Sequence, residues 1–277
     1  MKYIDTNHEN FIKDMKKKTL IVTFLQVFTI LVLLVGWELL VNFGVLEQFI
    51  FSKPSAIWDL TVQYFQSGEI YQHIWQSSLE VVLALIFGTL IGVIIAMLLW
   101  FSSLSQRVSN PFLVVLNALP KTALAPIFII WVGTNTKGIV FVAMSISIVI
   151  TIINALNGFN NVNPDQVKML RSFKASKFQI MKHLILPANV DNLISITRVN
   201  IGMSWIGVIV GEFIVSRYGL GYLITYGSNV FRLDLVMMAV FILALLTVVM
   251  NTTFNLLIIS IKKLNRIIKT KSERKYK

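Results

Sequence analysis

Six long apolar stretches, almost free of charge, constrain this chain more than any other feature. A helix rises about 1.5 Å per residue, so roughly 20 apolar residues cross a hydrocarbon core about 30 Å thick. The composition agrees, because 14% of the residues are charged, against about 25% in soluble domains. The sequence therefore predicts an all-α polytopic membrane protein with six transmembrane helices. The stretches are Thr19–Trp37, Val81–Trp100, Pro111–Trp131, Gly138–Gly158, Val199–Ser216 and Leu235–Ile261.

The distribution of cations predicts the orientation, since cytoplasmic segments of membrane proteins concentrate Lys and Arg. With the N-terminus inside, the cytoplasmic segments 1–18, 101–110, 159–191 and 262–277 hold 19 of the 25 basic residues, and the outer segments hold 4. Both termini are therefore expected in the cytoplasm. The net charge of +12 is then explained by basic residues in the cytoplasmic segments, including a C-terminal tail near anionic lipid headgroups, rather than by a nucleic-acid site. We divide the chain into a tail (1–18), a membrane domain (19–261) with a cytoplasmic loop (159–191), and a basic tail (262–277).

Two segments of the membrane domain depart from plain spans. In the outer segment, Ser55 is a candidate N-cap, and the apolar face of residues 56–66 predicts a helix lying in the membrane interface. The third span contains Pro120 and Pro126, which remove backbone donors and predict a bend. Such a break is tolerated where other helices or a water-filled cavity satisfy the backbone, so we expect this span to face helices rather than lipid.

The cytoplasmic stretch 163–187 is patterned as two short amphipathic helices. Asn163 and Pro164 are typical of a helix start, and Asp165 in the first turn favours it further. Ser176 and Gln179 have the spacing of a capping box, with a joint between the helices near residues 174–176 and an end at the Leu-Pro pair 186–187. Periodicity alone leaves two interpretations open: a hairpin resting on anionic lipid, or a plug for a groove on a cytoplasmic protein.

The loop resembles the cytoplasmic coupling loop of the permease subunits of binding-protein-dependent ABC importers. That family carries roughly E-A-A-R-x-L-G-A-S-x-x-Q followed by Leu-Pro, and this chain has R-S-F-K-A-S-K-F-Q over residues 171–179 and Leu-Pro at 186–187. The stretches 51–55, 123–133, 211–213 and 219–224 are similar to the nitrate/sulfonate/taurine branch. The resemblance implies a type I importer fold and contact with an ATPase through Asp165, Met169, Leu170, Arg171, Ser172, Phe173, Lys174, Ala175, Ser176, Lys177, Gln179, Leu186 and Pro187.

Two departures from the family pattern bear on that contact. Residues 168–170 are Lys-Met-Leu where the family has Glu-Ala-Ala, and Lys174 replaces the usual glycine. Since lysine adopts positive φ less easily than glycine, we expect either a less sharp joint between the two helices or a more acidic groove on the partner.

The resemblance also implies the partners. No phosphate-binding G-x-x-x-x-G-K-[ST] motif is found in the sequence, so ATP would be bound by a separate ATPase subunit, and the chain itself needs no cofactor. A second permease copy would complete the pathway, and an extracellular solute-binding protein would deliver a small solute. That solute would be an anion such as a sulfonate, taurine or nitrate, or a vitamin precursor. The location expected is the plasma membrane of a bacterium.

Candidates for the translocation pathway are few. Glu212 is the only acid in the fifth span, and intramembrane ionisable groups are functional candidates; the alternative is a position near the outer surface, capping a backbone or pairing with Arg217. Lys121 either lines the pathway or extends to the inner surface. In the fifth span, Gly202, Gly207 and Gly211 would permit close helix approach. The full set of pathway candidates is Ser204, Trp205, Val208, Glu212, Asn117 and Lys121.

Enzyme chemistry has no support in the sequence. The three histidines lie in separate segments, no metal-ligand or nucleophile motif is present, and we predict no catalytic residue and no metal site. Two other functions remain possible from the residues: an ion-coupled secondary transporter or channel without an ATPase, and a membrane scaffold that uses the loop to recruit a cytoplasmic protein.

Overall fold

The computed structural model describes the backbone of residues 2–275 and the side chains of Met15 and residues 17–262. All regular structure in this part of the chain is helical, so the predicted all-α class is confirmed. Much of the two predicted tails, 1–18 and 262–277, lies outside the described side chains. The helices are α1 Lys2–Asn42, α2 Gln48–Phe51, α3 Pro54–Ser67, α4 Glu69–Trp100, α5 Ser103–Ala118, α6 Ala125–Val132, α7 Thr136–Asn160, α8 Pro164–Ser172, α9 Lys177–Ile180, α10 Leu186–Ala188, α11 Val190–Val215, α12 Leu220–Asn229 and α13 Leu233–Lys275.

Up to six apolar crossings lie where the sequence predicts them, counting one bent helix pair as a single span. Five are single helices long and apolar enough to span a bilayer, within α1, α4, α7, α11 and α13. The sixth is the pair formed by α5 and the segment Lys121–Val132, which meet at an angle of 84°. Helix α4 begins at Glu69 and not near Val81; among the polar residues of its first three turns, Gln76 and Ser77 bond side chains of α7 and α11.

Close packing of α4, α7 and α11 forms the centre of the bundle. A Cβ on Gly88 or Gly92 of α4 would collide with Ser147 or Thr151 of α7, and one on Gly207 of α11 would collide with Ala143. Small residues let helix backbones approach closely in membranes, where dispersion contacts replace the hydrophobic effect. Gly211 packs in the same way against Ile139, but Gly202 has no heavy atom within 4 Å of an added Cβ, so it makes no close helix contact within this chain.

The break in the third span is located at Pro120. Helix α5 ends at Ala118, a 3₁₀ turn covers Lys121–Leu124, and α6 starts with Pro126 in its first turn, where no amide donor is needed. Helix α6 faces α7 through Ala125 and Ile129, as expected for a broken span, but α5 buries only Leu113. The expectation that this span faces helices is thus met within the chain by α6, and for α5 it stays a prediction.

The helix α3 is held by protein on one face. Ile57 and Leu60 are buried against α12 and α13, because this apolar face finds side chains such as Leu235 and Met238. Ser55 is not the N-cap; Lys53 takes that position, and Ser55 donates its backbone N–H and its Oγ to the Glu38 carboxylate of α1, at 3.0 and 2.8 Å. The predicted purely interfacial helix is thus a packed element that also ties down the outer end of α1.

Candidate functional site: the cytoplasmic loop

The first helix of the loop begins as its sequence predicts. Asn163 Oδ1 accepts the backbone N–H of Asp165 at 2.9 Å, and Pro164 occupies the first helical position. Because the first four amides of a helix have no partner within it, this cap satisfies one of them, and proline removes another. Asp165 also pairs with Lys168 at 3.3 Å on the exposed side of α8.

The second helix begins with a complete capping box. The Gln179 N–H donates to Ser176 Oγ at 3.2 Å, and the Ser176 N–H donates to Gln179 Oε1 at 2.7 Å. Two backbone donors are thereby satisfied at once, so α9 starts at Lys177 as predicted.

The joint between the helices is a tight left-handed turn centred on Lys174. The Ala175 N–H donates to the Leu170 carbonyl at 3.1 Å, and the Lys174 N–H donates to the Arg171 carbonyl at 2.8 Å. These two bonds form a Schellman motif, in which Lys174 has φ +56°. The expected loosening of the joint is therefore wrong: the hydrogen bonds and the packing of Leu170 against the bundle hold lysine in a conformation that glycine adopts at less cost.

Buried side chains fasten the loop to the cytoplasmic end of the bundle. Ile180, Met181 and Ile185 pack against Ala96 of α4 and Phe159 of α7. The contact is supplemented by the Lys177 ammonium, which donates to the carbonyl of Phe101 at 2.8 Å. A displacement of the loop must therefore displace the ends of α4 and α7, since packed interiors transmit strain.

The Leu186-Pro187 pair does not end the second helix, contrary to the sequence prediction. The chain passes from α9 through a π-helical turn, Met181–Ile185, into α10, and turns only at Asn189. Proline lacks the amide that would donate to the carbonyl four residues earlier. The wider π turn lies where that bond is missing, and Pro187 occupies the first turn of α10, where its missing donor costs little.

An apolar surface on the opposite side of the loop is left uncovered. Phe173, Phe178 and Met169 are 76, 67 and 55% exposed. Phe178 points away from the bundle, although Met181 and Ile185, three and seven residues later, are buried against it. Ser172, which donates to the Lys168 carbonyl at 3.1 Å, is exposed as well. We call Met169, Phe173 and Phe178 the apolar protrusion of the loop.

A shallow cavity of about 340 Å³ adjoins the protrusion. Leu170, Phe173, Ala175 and Gln179 line it, together with His183 and the aliphatic part of Lys174. The predicted coupling residues therefore divide into two groups: Leu170 and Ala175 face the bundle in part, whereas Phe173 and Met169 are exposed. Contiguous exposed apolar groups beside cations are typical of a protein interaction surface.

The pathway candidates occupy two different environments. Ser204, Trp205, Val208 and Glu212 are buried in the packing of α11 against its neighbours, so no solute can touch them in this conformation. Asn117 and Lys121 lie together at the α5–α6 break and are less covered, with the Lys121 ammonium 3.5 Å from the Asn117 carbonyl. Their role in translocation stays a prediction.

The carboxylate of Glu212 fixes the outer loop before α12. It accepts the Ser77 Oγ–H at 2.6 Å and the Gly221 N–H at 2.6 Å, while Ser77 Oγ also accepts the Leu220 N–H at 2.8 Å. Glu212 thus caps the first turn of α12, and no carboxylate of the described residues lies within 4.0 Å of the Arg217 side chain. The capping half of the alternative interpretation is right, and the pairing with Arg217 is wrong.

Two polar residues near Glu212, Glu80 and His73, were not predicted as site residues, and His73 is half-buried rather than the surface residue that its isolated position in the sequence indicates. Glu80 is fully buried and accepts a hydrogen bond from the Gln76 amide at 2.7 Å, and Gln76 also donates to Thr136 at 2.8 Å. The ring of His73 accepts the Gly219 N–H at 3.0 Å. The predicted span started at Val81, which placed both residues in an outer loop; the spacing of His73, Ser77 and Glu80 along one helical face was the available signal.

Comparison with known protein families gives one match that covers most of the bundle. Residues 88–263 match the family described as binding-protein-dependent transport system inner membrane component. This range includes the whole cytoplasmic loop and Glu212, whereas its partner Ser77 on α4 precedes it.

Several characterised or named proteins are similar to this chain. A probable ABC transporter permease protein of Haemophilus influenzae is 31% identical over 215 residues, which cover 76% of this chain and 86% of that protein. The putative aliphatic sulfonates transport permease protein of Bacillus subtilis is 26% identical, covering 70% of each chain. The taurine transport system permease protein of Escherichia coli is 23% identical, covering 80% of this chain and 82% of its own. These similarities confirm the predicted resemblance to the sulfonate/taurine/nitrate branch.

The fold is also similar to solved structures. A subunit of a bacterial ABC transporter involved in the import of the acidic polysaccharide alginate superposes with a TM-score of 0.62, covering 90% of this chain and 98% of that one at 16% identity. At this identity the likeness concerns the fold alone.

Proposed function

Since the chain belongs to the family of inner-membrane components of binding-protein-dependent transport systems, we propose that it couples solute import to a separate ATPase through the loop 163–187. The observation that carries this proposal is the apolar protrusion, Met169, Phe173 and Phe178, exposed on a loop whose other side is packed into the bundle. Exposed aromatic residues on a rigid base are the usual anchors of a protein interface.

The loop has the construction that force transmission requires. Its capping box and Schellman turn hold the two helices at a defined angle, and Ile180 and Ile185 bind it to α4 and α7. A partner that moves the protrusion would move the cytoplasmic ends of these spans. Alternating access would follow as a shift between two packed states of the bundle.

ATP would be bound and hydrolysed by the partner, and the permease itself would need no cofactor. The cation beside the protrusion, Lys174, would favour an acidic rim on the ATPase groove. The lysine at position 168, where relatives of the family carry glutamate, supports the same expectation about the partner's charge.

A second copy of the chain would complete the pathway. In a single protomer the outward face of α5 is apolar and exposed, as at Phe112 and Val115, and a break such as that at Pro120 needs protein or water around it. Asn117 and Lys121 would then border the pathway. An extracellular solute-binding protein would deliver the cargo to the outer loops.

The cargo we propose is a small anion of the sulfonate, taurine or nitrate type, or a vitamin precursor. The names of the relatives support the anion, as does Lys121 beside the break. Binding measurements on the partner solute-binding protein with taurine, alkanesulfonates and nitrate would identify the substrate, and failure of all three would exclude the anion class.

The coupling proposal is tested by Phe173→Asp in the full chain, co-expressed with its ATPase. Loss of a central interface anchor weakens binding by about 30-fold or more, so the ATPase should no longer co-purify, while membrane insertion is unchanged. Phe231→Asp is the matched control, because Phe231 is similarly exposed, at 69%, on the opposite end of the bundle. Equal ATPase recovery from both variants would show that the protrusion is not the docking surface.

Transport itself separates an ATP-driven importer from an ion-coupled carrier. Uptake into proteoliposomes should require internal ATP together with the ATPase subunit. Uptake that persists without ATP, driven by an ion gradient, would overturn the importer function.

A further inference from the structure

A second cavity of the cytoplasmic loop lies on the side away from the protrusion. It has a volume of about 480 Å³ and opens between the α4–α5 turn and α8. Trp100 and Phe101 form one wall, and Gln106 lies near its polar edge, where its amide oxygen accepts a hydrogen bond from Asn160 at 3.1 Å. None of the exposed apolar side chains of the protrusion lines it.

The charged lining of this cavity is entirely cationic. Lys168, Arg171 and Lys177 surround it, and no acidic residue lines it. Lys168 has a carboxylate partner, Asp165 at 3.3 Å, but both side chains are well exposed, so the pairing is weak. No carboxylate of the described residues lies within 4.0 Å of the Arg171 guanidinium. The three cationic side chains around the cavity together attract an anion.

The depth of the cavity indicates which anion. Trp100 is the last residue of the α4 span, and tryptophan at the end of a span marks the level of the headgroups. Basic pockets at the cytoplasmic end of transmembrane helices meet the anionic lipids of that leaflet. The aromatic wall of Trp100 and Phe101 also suits an amphiphile better than a small hydrated ion.

We propose that this cavity binds the phosphate group of an anionic phospholipid of the cytoplasmic leaflet. Arg171 presents a fork that matches phosphate oxygens bidentately, with the Lys168 and Lys177 ammonium groups beside it. The bound lipid would bridge the end of α4 to α8 and so hold the base of the apolar protrusion. Lys177 already makes such a bridge to the Phe101 carbonyl at 2.8 Å, and the lipid would strengthen it.

The experiment measures lipid retained by the full chain. The protein is reconstituted into nanodiscs of phosphatidylcholine with a fixed fraction of phosphatidylglycerol, extracted into mild detergent, and the co-purified lipids are quantified by mass spectrometry. Arg171→Gln removes the central cation, and Arg171→Lys keeps the charge without the fork. Lys182→Gln removes a charge from the same loop at an exposed position outside the cavity, so it controls for general attraction to anionic lipid.

Wild-type protein and Lys182→Gln should retain phosphatidylglycerol in preference to phosphatidylcholine. The amount of phosphatidylglycerol retained should be about fivefold lower in Arg171→Gln, as expected for one basic residue near an anionic surface. The decrease should be smaller in Arg171→Lys. An equal loss in Arg171→Gln and Lys182→Gln, or no preference between the two lipids, would overturn the site.

A competition arm distinguishes the lipid from a soluble anion. Millimolar inorganic phosphate added to the detergent extract should leave the retained lipid in place. Complete release of the lipid by phosphate would assign the cavity to a free anion and overturn the lipid proposal. The measurement uses the permease without its ATPase, so its outcome is independent of the coupling proposal.

Discussion

The side chain of Glu212 in α11 holds together α4 and the start of α12. From its position in α11 it accepts hydrogen bonds from Ser77 Oγ of α4 and from the backbone N–H of Gly221 in α12, at 2.6 Å each. Leaving the buried hydrogen-bond partners of Glu212 unsatisfied would cost about 1–3 kcal/mol. Glu212 is therefore a positioning residue for the outer loop in this conformation.

The glycine that makes room for this carboxylate should not tolerate a side chain. Gly219 has φ +116°, and a Cβ there would overlap the Glu212 carboxylate. Strained backbone and overpacking each cost about 1–3 kcal/mol, so Gly219→Ala should lower the midpoint of thermal unfolding in detergent. Gly202→Ala is the control, since a Cβ there meets no atom within 4 Å; it should leave the midpoint unchanged or raise it. Equal midpoints for the two variants would contradict this account of Gly219.

Replacing Lys174, which has a left-handed backbone conformation, with glycine should stabilise the joint of the loop. Lys174→Gly relieves the conformation at φ +56°, which is worth about 1 kcal/mol, and retains both hydrogen bonds of the turn. Amide hydrogen exchange at residues 173–175 should therefore slow in Lys174→Gly. Ala175→Gly, at a position without positive φ, should speed exchange instead, and faster exchange in Lys174→Gly would show that the lysine side chain stabilises the joint.

At the scale of elements, the loop has two functions that mutations can separate. The protrusion is exposed for contact, while Ile180, Met181 and Ile185 are buried and attach the loop to α4 and α7. A mutation of one of these buried residues should disturb the transmission of movement from the loop to α4 and α7, whereas Phe173→Asp should disturb binding of the ATPase.

Ile185→Ala should uncouple transport without releasing the ATPase. Truncating a buried Ile typically costs about 2–5 kcal/mol, so the loop should exchange its amides faster, and ATP-dependent uptake should fall while ATPase co-purification persists. Ile206→Ala is the matched control, because Ile206 is exposed on a span. Loss of the ATPase in Ile185→Ala would mean that attachment and docking cannot be separated.

At the scale of the whole molecule, the arrangement of the six crossings follows the distribution of basic residues. The cytoplasmic segments hold 19 basic residues and the outer ones 4, and the structure places the loop and the outer helix α3 at opposite ends of the bundle. The two interaction surfaces that we propose, for the ATPase and for the solute-binding protein, are therefore separated by the length of a span.

The absence of cysteine makes this topology directly testable. Lys137→Cys and Lys182→Cys each introduce one thiol at an exposed position. Lys137 lies in the first turn of α7, and Lys182 lies in the loop that follows the other end of α7. A membrane-impermeant maleimide should label Lys137→Cys in intact cells and Lys182→Cys only after permeabilisation, because segments rich in Lys and Arg stay in the cytoplasm. The reverse pattern would invert the predicted orientation.

The sequence by itself determined the class, the six crossings and the local chemistry of the loop. These depend on short-range physics: an apolar length of about 20 residues, a cap such as Asn163 or Ser176 that bonds its own neighbours, and a proline that removes its own donor. For the same reason the break at Pro120 was predictable, although its angle of 84° was not.

Tertiary structure alone decided which groups are buried and what they contact. Glu80, Ser77 and His73 form a site with Glu212 and Gly219 only because α4 lies against α11 and the start of α12, more than one hundred residues away in the chain. Likewise, Lys174 keeps a left-handed turn because Leu170 is packed against the bundle, and Phe178 points away from the bundle although Met181 and Ile185 are buried against it. Long-range packing overrides local preference in each case, and no pattern within a short window of sequence records it.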